Sequence, residues 1–291
     1  MSGATTLPDS VRVWAESVVG PLTSLDDAPS AARSSPSRVW EVTAGRQGGG
    51  DRFWVKLAAS PLAFTRETFA HRHAVSYLGP GRAPRLTATS AQHLALITTT
   101  VSGTPLSALT ATGAALEAVH RKAGALVAQL HQAGKPTRAA REEAGRALRH
   151  TADRAERSVR VAGEQLPPAE REFMLAHTAG LRDAGRVPLG YIHGGLDEHA
   201  LRWSGVREPL ALVDFQRARF APVVLDFVPL ACGPWVGQPR LRTAFFTGYG
   251  RRLLPEEKRA LYCLTALRGV GRTARQPMPA RHFPHHAEGA L

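Results

Sequence analysis

The chain has 291 residues, with 37 Lys+Arg against 24 Asp+Glu, a net charge of +13 and a pI near 11.0. Hydrophobic residues make up 43%, enough for a sizeable core, which excludes a wholly disordered basic protein. No apolar run approaches the ~18 residues of a membrane span, so a transmembrane helix is excluded too.

The elements follow in chain order. Met1 to Pro8 shows no basic stretch leading into an apolar one, so no secretory signal is expected. Val39–Thr43 and Phe53–Leu57 are rich in β-formers and flank a turn, Gly45–Asp51, that contains Gly48-Gly49-Gly50. This predicts a hairpin. Thr65–Leu78 predicts a helix closed by Gly79-Pro80-Gly81, and Leu94–Val101 a further strand. Ala114–Ala133 carries an apolar stripe of period 3.6, stopped by Gly134 and Pro136. Arg138–Arg160 predicts a separate helix, Pro168–Ala179 another, and Pro239–Gly248 and Pro255–Leu267 two late ones. Tyr191–His193 and Leu210–Asp214 are short β-prone runs. The Pro-containing tail, 272–291, predicts poor order. The whole predicts an α+β protein of two lobes: residues 1–101, a small antiparallel sheet with one helix, and residues 102–291, mainly helical, with a cleft between them.

The charge admits two readings. Net +13 suits a polyanionic partner, but Arg with abundant Ala, Gly and Pro also follows from base composition alone. The densest stretch, Arg138–Arg160, holds seven arginines at recurrent three-residue spacing. It reads as a solvated face, with a docking face for an acidic substrate as the sharper reading. No nucleic-acid-reading motif is present, so nucleic acid is not an expected partner. Two cysteines, Cys232 and Cys263, make no disulfide framework, which fits a reduced, cytoplasmic setting. His282, His285 and His286 lack carboxylate or thiol partners at ligand spacing.

Only four of the basic residues are lysine: Lys56, Lys122, Lys135 and Lys258. Lys56 stands within an apolar strand, where an ammonium is costly unless it meets an anion. An edge-strand lysine that discourages aggregation is the plainer reading. Glu67, on the helix that follows, is the only acidic residue between Asp51 and Glu117. A strand lysine held by a helix glutamate aims an ammonium at nucleotide phosphates in kinases. A solvated helix carboxylate is the commoner case. Asp214 ends an apolar strand, where a carboxylate can hold Mg²⁺ or simply cap a turn. His193–Leu201 is a polar loop between β-prone runs.

Order and spacing together resemble the aminoglycoside phosphotransferase family, a branch of the protein-kinase-like fold, from roughly Ser34 to Gly250. The resemblance places the family's strand lysine on Lys56 and its helix partner on Glu67. It places the Leu-x-x-x-Leu-His helix end on Leu126–His131, the magnesium-binding Asp-Phe on Asp214-Phe215, and the later structural aspartate on Asp226. The catalytic loop, His-Gly-Asp-Leu/Phe-x-x-x-Asn, aligns with His193–Ala200. Here the chain departs. The catalytic aspartate falls on Gly195 and the metal-binding asparagine on Ala200, and neither side chain accepts a proton or a hydrogen bond. His193, Asp197, Glu198 or His199 would have to stand in. The phosphate-covering segment would be Ala31–Arg38, with Ser35 and Ser37 as phosphate donors. The resemblance implies an ATP- and Mg²⁺-dependent phosphotransferase acting on a hydroxyl of a small molecule or peptide. The two departures favour the alternative, a pseudokinase that binds a peptide or protein partner.

Overall fold

The computed structural model describes residues 6–27, 37–45, 50–110, 112–163, 166–184 and 186–273. Helix α1 (Asp9–Val19) and strand β1 (Leu22–Asp27) open the chain, and neither is anticipated from the sequence. Pro8 stands where a capping Ser or Asp would announce a helix, and its side chain makes no cap. The predicted hairpin forms as β2 (Arg38–Ala44) and β3 (Asp51–Leu57), with Trp40 opposite Val55 and Val39 opposite Lys56. Gly48 and Gly49 of its turn lie outside the described residues.

Helix α2 runs Pro61–His73 rather than from Thr65, because Ser60 caps it and Pro61 takes its first turn. The Ser60 hydroxyl accepts from the Ala63 amide at 3.2 Å. A 3₁₀ turn, Val75–Leu78, completes the predicted span. Strands β4 (Leu86–Ser90) and β5 (Ala95–Thr99) finish an antiparallel sheet of order β1-β2-β3-β5-β4. The predicted strand 94–101 is trimmed at its start, where Leu94 adopts φ +50° in the turn.

The strand alternation of β3 sets up the cleft. Val55 packs with Trp40, Val42 and Ile97 against Val11 and Ala15 of α1. Lys56, its neighbour, therefore faces the other way, towards the helical body. That body starts with β6 (Thr104–Pro105), α3 (Ala114–His131), α4 (Arg138–Ala162) and α5 (Pro168–Arg182). It continues with β7 (Leu189–Ile192), β8 (Leu201–Trp203), β9 (Ala211–Leu212) and β10 (Arg219–Pro222), then α6 (Val224–Ala231), α7 (Pro239–Tyr249) and α8 (Pro255–Thr273). Strands β7 and β10 pair antiparallel, and β6-β8-β9 form a small second sheet. Arg202 of β8 is buried, with its guanidinium 5.6 Å from the Trp54 ring of β3, and so braces the body against the first sheet.

Helix α4 buries Ala144, Leu148, Ala152 and Val159 and leaves all seven of its Arg138–Arg160 arginines exposed. Helices α3 and α7 touch backbone to backbone at two glycines. A Cβ on Gly124 would overlap the Phe245 carbonyl oxygen, and one on Gly248 would overlap that of Arg121. No helix among the described residues is long and apolar enough to cross a membrane. Helix α8 runs six residues past its predicted end, to Thr273; the rest of the tail, with His282, His285 and His286, lies outside the described residues.

Candidate functional site

Three sequence-distant groups meet at Lys56. Its Nζ lies 2.8 and 2.7 Å from the two carboxylate oxygens of Glu67 on α2, and 2.6 Å from Asp214 Oδ1 after β9. Lys56 is 8% and Glu67 3% exposed, so this is a buried cluster with one cation between two anions. Burial alone would push the ammonium down, but Glu67 and Asp214 hold it above its ordinary value. Burial also pushes Asp214 up, yet the Lys56 charge and hydrogen bond win and hold it below its usual range. Glu67 sits above the usual range, because its own burial outweighs the pull of Lys56. Asp214 adopts φ +71°, a left-handed backbone that a non-glycine residue enters only under constraint.

Ser37 and Gln216 extend the cluster. The Ser37 hydroxyl donates to Gln216 Oε1 at 2.8 Å, and Gln216 Nε2 donates to Asp214 Oδ2 at 3.1 Å. Ser37 is thus tied to the Asp214 carboxylate from the start of β2. Ser35 lies outside the described residues. Nothing in the sequence singled out Gln216 beyond its place two residues after Asp214.

The polar loop is held by a second buried carboxylate. Asp226, fully enclosed on α6, accepts the His193 amide at 2.7 Å on Oδ2 and the Gly194 amide at 2.7 Å on Oδ1. His131 Nε2, at the end of α3, lies 3.1 Å from Oδ2, and its Nδ1 lies 2.9 Å from Tyr249 Oη of α7. Burial would raise Asp226, but the His131 ring beside it and the hydrogen bond from the His193 amide bring it below its ordinary value. Gly194 is required: φ is +76°, and a Cβ would overlap the Arg217 carbonyl oxygen. Gly195 is not. Its φ is not positive, and the nearest atom to a Cβ built there is Arg217 Cδ at 3.5 Å.

The other loop candidates part company. His193 Nε2 lies 3.0 Å from the Val213 carbonyl oxygen, which assigns its proton to Nε2 and leaves Nδ1 as an acceptor. Nδ1 is buried without a partner, 3.9 Å from the point where a Gly195 Cβ would sit. Asp197 Oδ1 caps the turn, accepting the amides of His199 at 2.9 Å and Ala200 at 3.2 Å. His199 Nδ1 lies 2.9 Å from Ser107 Oγ, and the Glu198 carbonyl accepts the Ser107 amide at 3.2 Å. These two residues therefore sit at the far end of the loop, near β6. Burial pushes the Glu198 carboxyl up.

Metal ligands are sparse. Among the described residues no group of three or more His, Cys, Asp or Glu side chains could hold a metal ion. Asp214 is the one carboxylate of the cleft clear of the Asp226 scaffold and not buried deep beside Lys56. One carboxylate suffices for Mg²⁺ when phosphate oxygens and water supply the rest.

The fold has known counterparts. The profile of the phosphotransferase enzyme family, APH, matches residues 31–262, and the chain belongs to that family. Among solved structures, the macrolide 2′-phosphotransferase of Brachybacterium faecium superposes with a TM-score of 0.61 at 20% identity, covering 94% of this chain and 99% of that one. An aminoglycoside phosphotransferase from Alicyclobacillus acidocaldarius gives 0.62 at 18% identity, with coverage of 96% and 89%. Spectinomycin phosphotransferase, in complex with ADP and spectinomycin, gives 0.62 at 11% identity, with coverage of 94% and 88%. No curated protein matches by sequence. The architecture is the two-lobed kinase-like fold: an antiparallel sheet lobe and a mainly helical lobe.

Proposed function

We propose that this protein transfers the terminal phosphoryl group of ATP, with Mg²⁺, to a hydroxyl of a small molecule or peptide. The cleft would lie between lobes of residues 1–101 and 102–291. The observation that carries this reading is Lys56, held at 2.6 Å from Asp214 and 2.7 Å from Glu67. The pair supplies what phosphoryl transfer most needs, a fixed cation and a carboxylate at the phosphates. Lys56 would hold the α- and β-phosphates, Glu67 would orient Lys56, and Asp214 would hold the metal, which neutralises phosphate charge when bound. Gln216 and Ser37 would keep Asp214 in its orientation. The solved relatives named for macrolides and spectinomycin make a small-molecule hydroxyl the favoured acceptor class.

Of the loop candidates, His193 is the proton acceptor we favour. Its Nδ1 carries the lone pair nearest to the space beside Gly195, while Asp197 is engaged in its turn and His199 and Glu198 lie near Ser107. The exposed Arg217 side chain covers that space, so it has to swing aside for an acceptor hydroxyl to reach Nδ1. Purified protein with γ-labelled ATP, Mg²⁺ and a panel of hydroxylated acceptors tests the reading. Turnover that Asp214→Ala abolishes supports it; no turnover on any acceptor sinks it.

The absence of an acidic side chain at Gly195 and of an amide at Ala200 favours a second reading, a pseudokinase that binds a peptide or protein partner. The room at Gly195 makes the deciding variant feasible. If Gly195→Asp with Ala200→Asn creates phosphotransfer that the natural chain lacks, the second reading prevails.

A further inference from the structure

Two arginines meet where the loop carries no acid, and Arg219 Nη1 donates to the Arg217 carbonyl at 2.9 Å. Arg217 Nη1 lies 3.9 Å from the point where a Gly195 Cβ would sit, and Arg219 Nη1 lies 2.8 Å from the corresponding point on Gly194. Arg219 sits below its ordinary value because it is desolvated and because Arg66 and Arg217 repel it, with Asp226 and Glu143 only partly offsetting them. Asp226 is already engaged by two loop amides and His131. Among the described residues, Arg66, Arg217 and Arg219 form no salt bridge with any carboxylate. Elsewhere in this chain arginines do find acids, as Arg251 does with Glu257 at 2.6 Å and Arg182 with Asp153 at 2.8 Å.

Two buried polar atoms accompany them. Among the described residues Tyr191 Oη and His193 Nδ1 have no hydrogen-bond partner, although each residue is only 1% exposed. Tyr191 lies on β7 opposite Phe220, and His193 follows the end of that strand. A buried polar atom left unpaired costs free energy, as does a cluster of like charges. Both costs fall if one ligand bears an oxyanion and a hydroxyl.

We infer that this is an oxyanion subsite, and that the acceptor of the proposed phosphotransfer carries a phosphate or carboxylate beside its reactive hydroxyl. The guanidiniums of Arg217 and Arg219 take the oxyanion, and His193 Nδ1 accepts from the hydroxyl. The substrate-class part of this inference rests on the phosphotransferase reading; the anion site itself does not.

The test is calorimetric titration of the full chain with inorganic phosphate, and separately with acetate, at constant ionic strength. Arg217→Gln and Arg219→Gln should each weaken phosphate binding by about tenfold, the loss of one charged hydrogen bond. Arg12→Gln, a charge removed from exposed α1, should leave it unchanged. A stronger response to acetate than to phosphate assigns the site to a carboxylate-bearing acceptor, and the reverse to a phosphate-bearing one. The inference is overturned if wild type binds neither ion. It is equally overturned if the arginine variants bind as wild type does, or if Lys56→Met alone removes binding, which would put the ion at Lys56. ADP titration of the same proteins separates the two readings. Phosphate binding that depends on Arg217, without any ADP binding, ends the phosphotransferase reading and leaves the anion site standing.

Discussion

The two sides of the cleft are built differently. On the Lys56 side the chemistry is in the side chains: an ammonium bonded to two carboxylates and, through Asp214, to Gln216 and Ser37. On the loop side the side chains at 195 and 200 are gone, yet the backbone is held as firmly, by Asp226 on the amides of His193 and Gly194. The comparison teaches that the loop's shape is set by groups outside it, namely Asp226, His131 and Tyr249. A frame of that kind persists when the residues it once displayed are replaced.

The hardest blow to that frame is Asp226→Ala. It orphans two buried amides and removes the partner of His131, and should cost about 3–5 kcal/mol in urea unfolding. The same residue governs the acid limb. A carboxyl depressed in the folded state stabilises above its unfolded value and loses that contribution as pH falls through the folded one. Asp226 and Asp214 both lie below 3.8, so stability should decline as pH drops past that value. Glu67, raised above 4.5 by burial, acts in the opposite sense at higher pH. A urea-midpoint profile checks this, and it should be shallower in Asp226→Ala.

Lys56→Met comes next. It leaves Glu67 buried without its cation and should cost about 3 kcal/mol, at the low end for a broken buried pair because Asp214 reaches solvent. Adding Glu67→Leu should restore stability but not ADP affinity. Recovery of both would show that the two sides do not differ as described. Adjacent glycines give the finest contrast. Gly194→Ala should cost about 2 kcal/mol, from left-handed strain and overlap with Arg217. Gly195→Asp, one residue on, should change stability by less than about 1 kcal/mol, since a Cβ there meets nothing nearer than Arg217 Cδ at 3.5 Å and the carboxylate lies beside the exposed Arg217 guanidinium. Thermal melts of the two variants side by side decide it.

The sequence exposed the Lys56 side well and the loop side only by what it lacks. A lysine in an apolar strand, the next acid along and an aspartate at a strand end are local signals, and the fold brings all three within one hydrogen-bonded cluster. Helix α6 went unread, because Val224–Ala231 is apolar apart from Asp226 and Pro229 reads as a breaker. Strand β10 and the arginines at 217 and 219 went unread because their meaning depends on what faces them. Helix α4 drew attention as the densest run of charge, and its seven arginines are exposed, as both readings of that run require.

The backbone contact between α3 and α7 has a reach beyond packing. A Cβ on Gly124 would also come within 2.7 Å of the Tyr249 amide, so the missing methyl group sets how near Tyr249 stands to α3. Tyr249 meets His131, His131 meets Asp226, and Asp226 fixes the loop at His193. The position of the loop is thus referred, link by link, to the thickness of a hydrogen atom on a remote helix. A single carbon added there would be felt as a shift in the loop before it was felt as a loss of core.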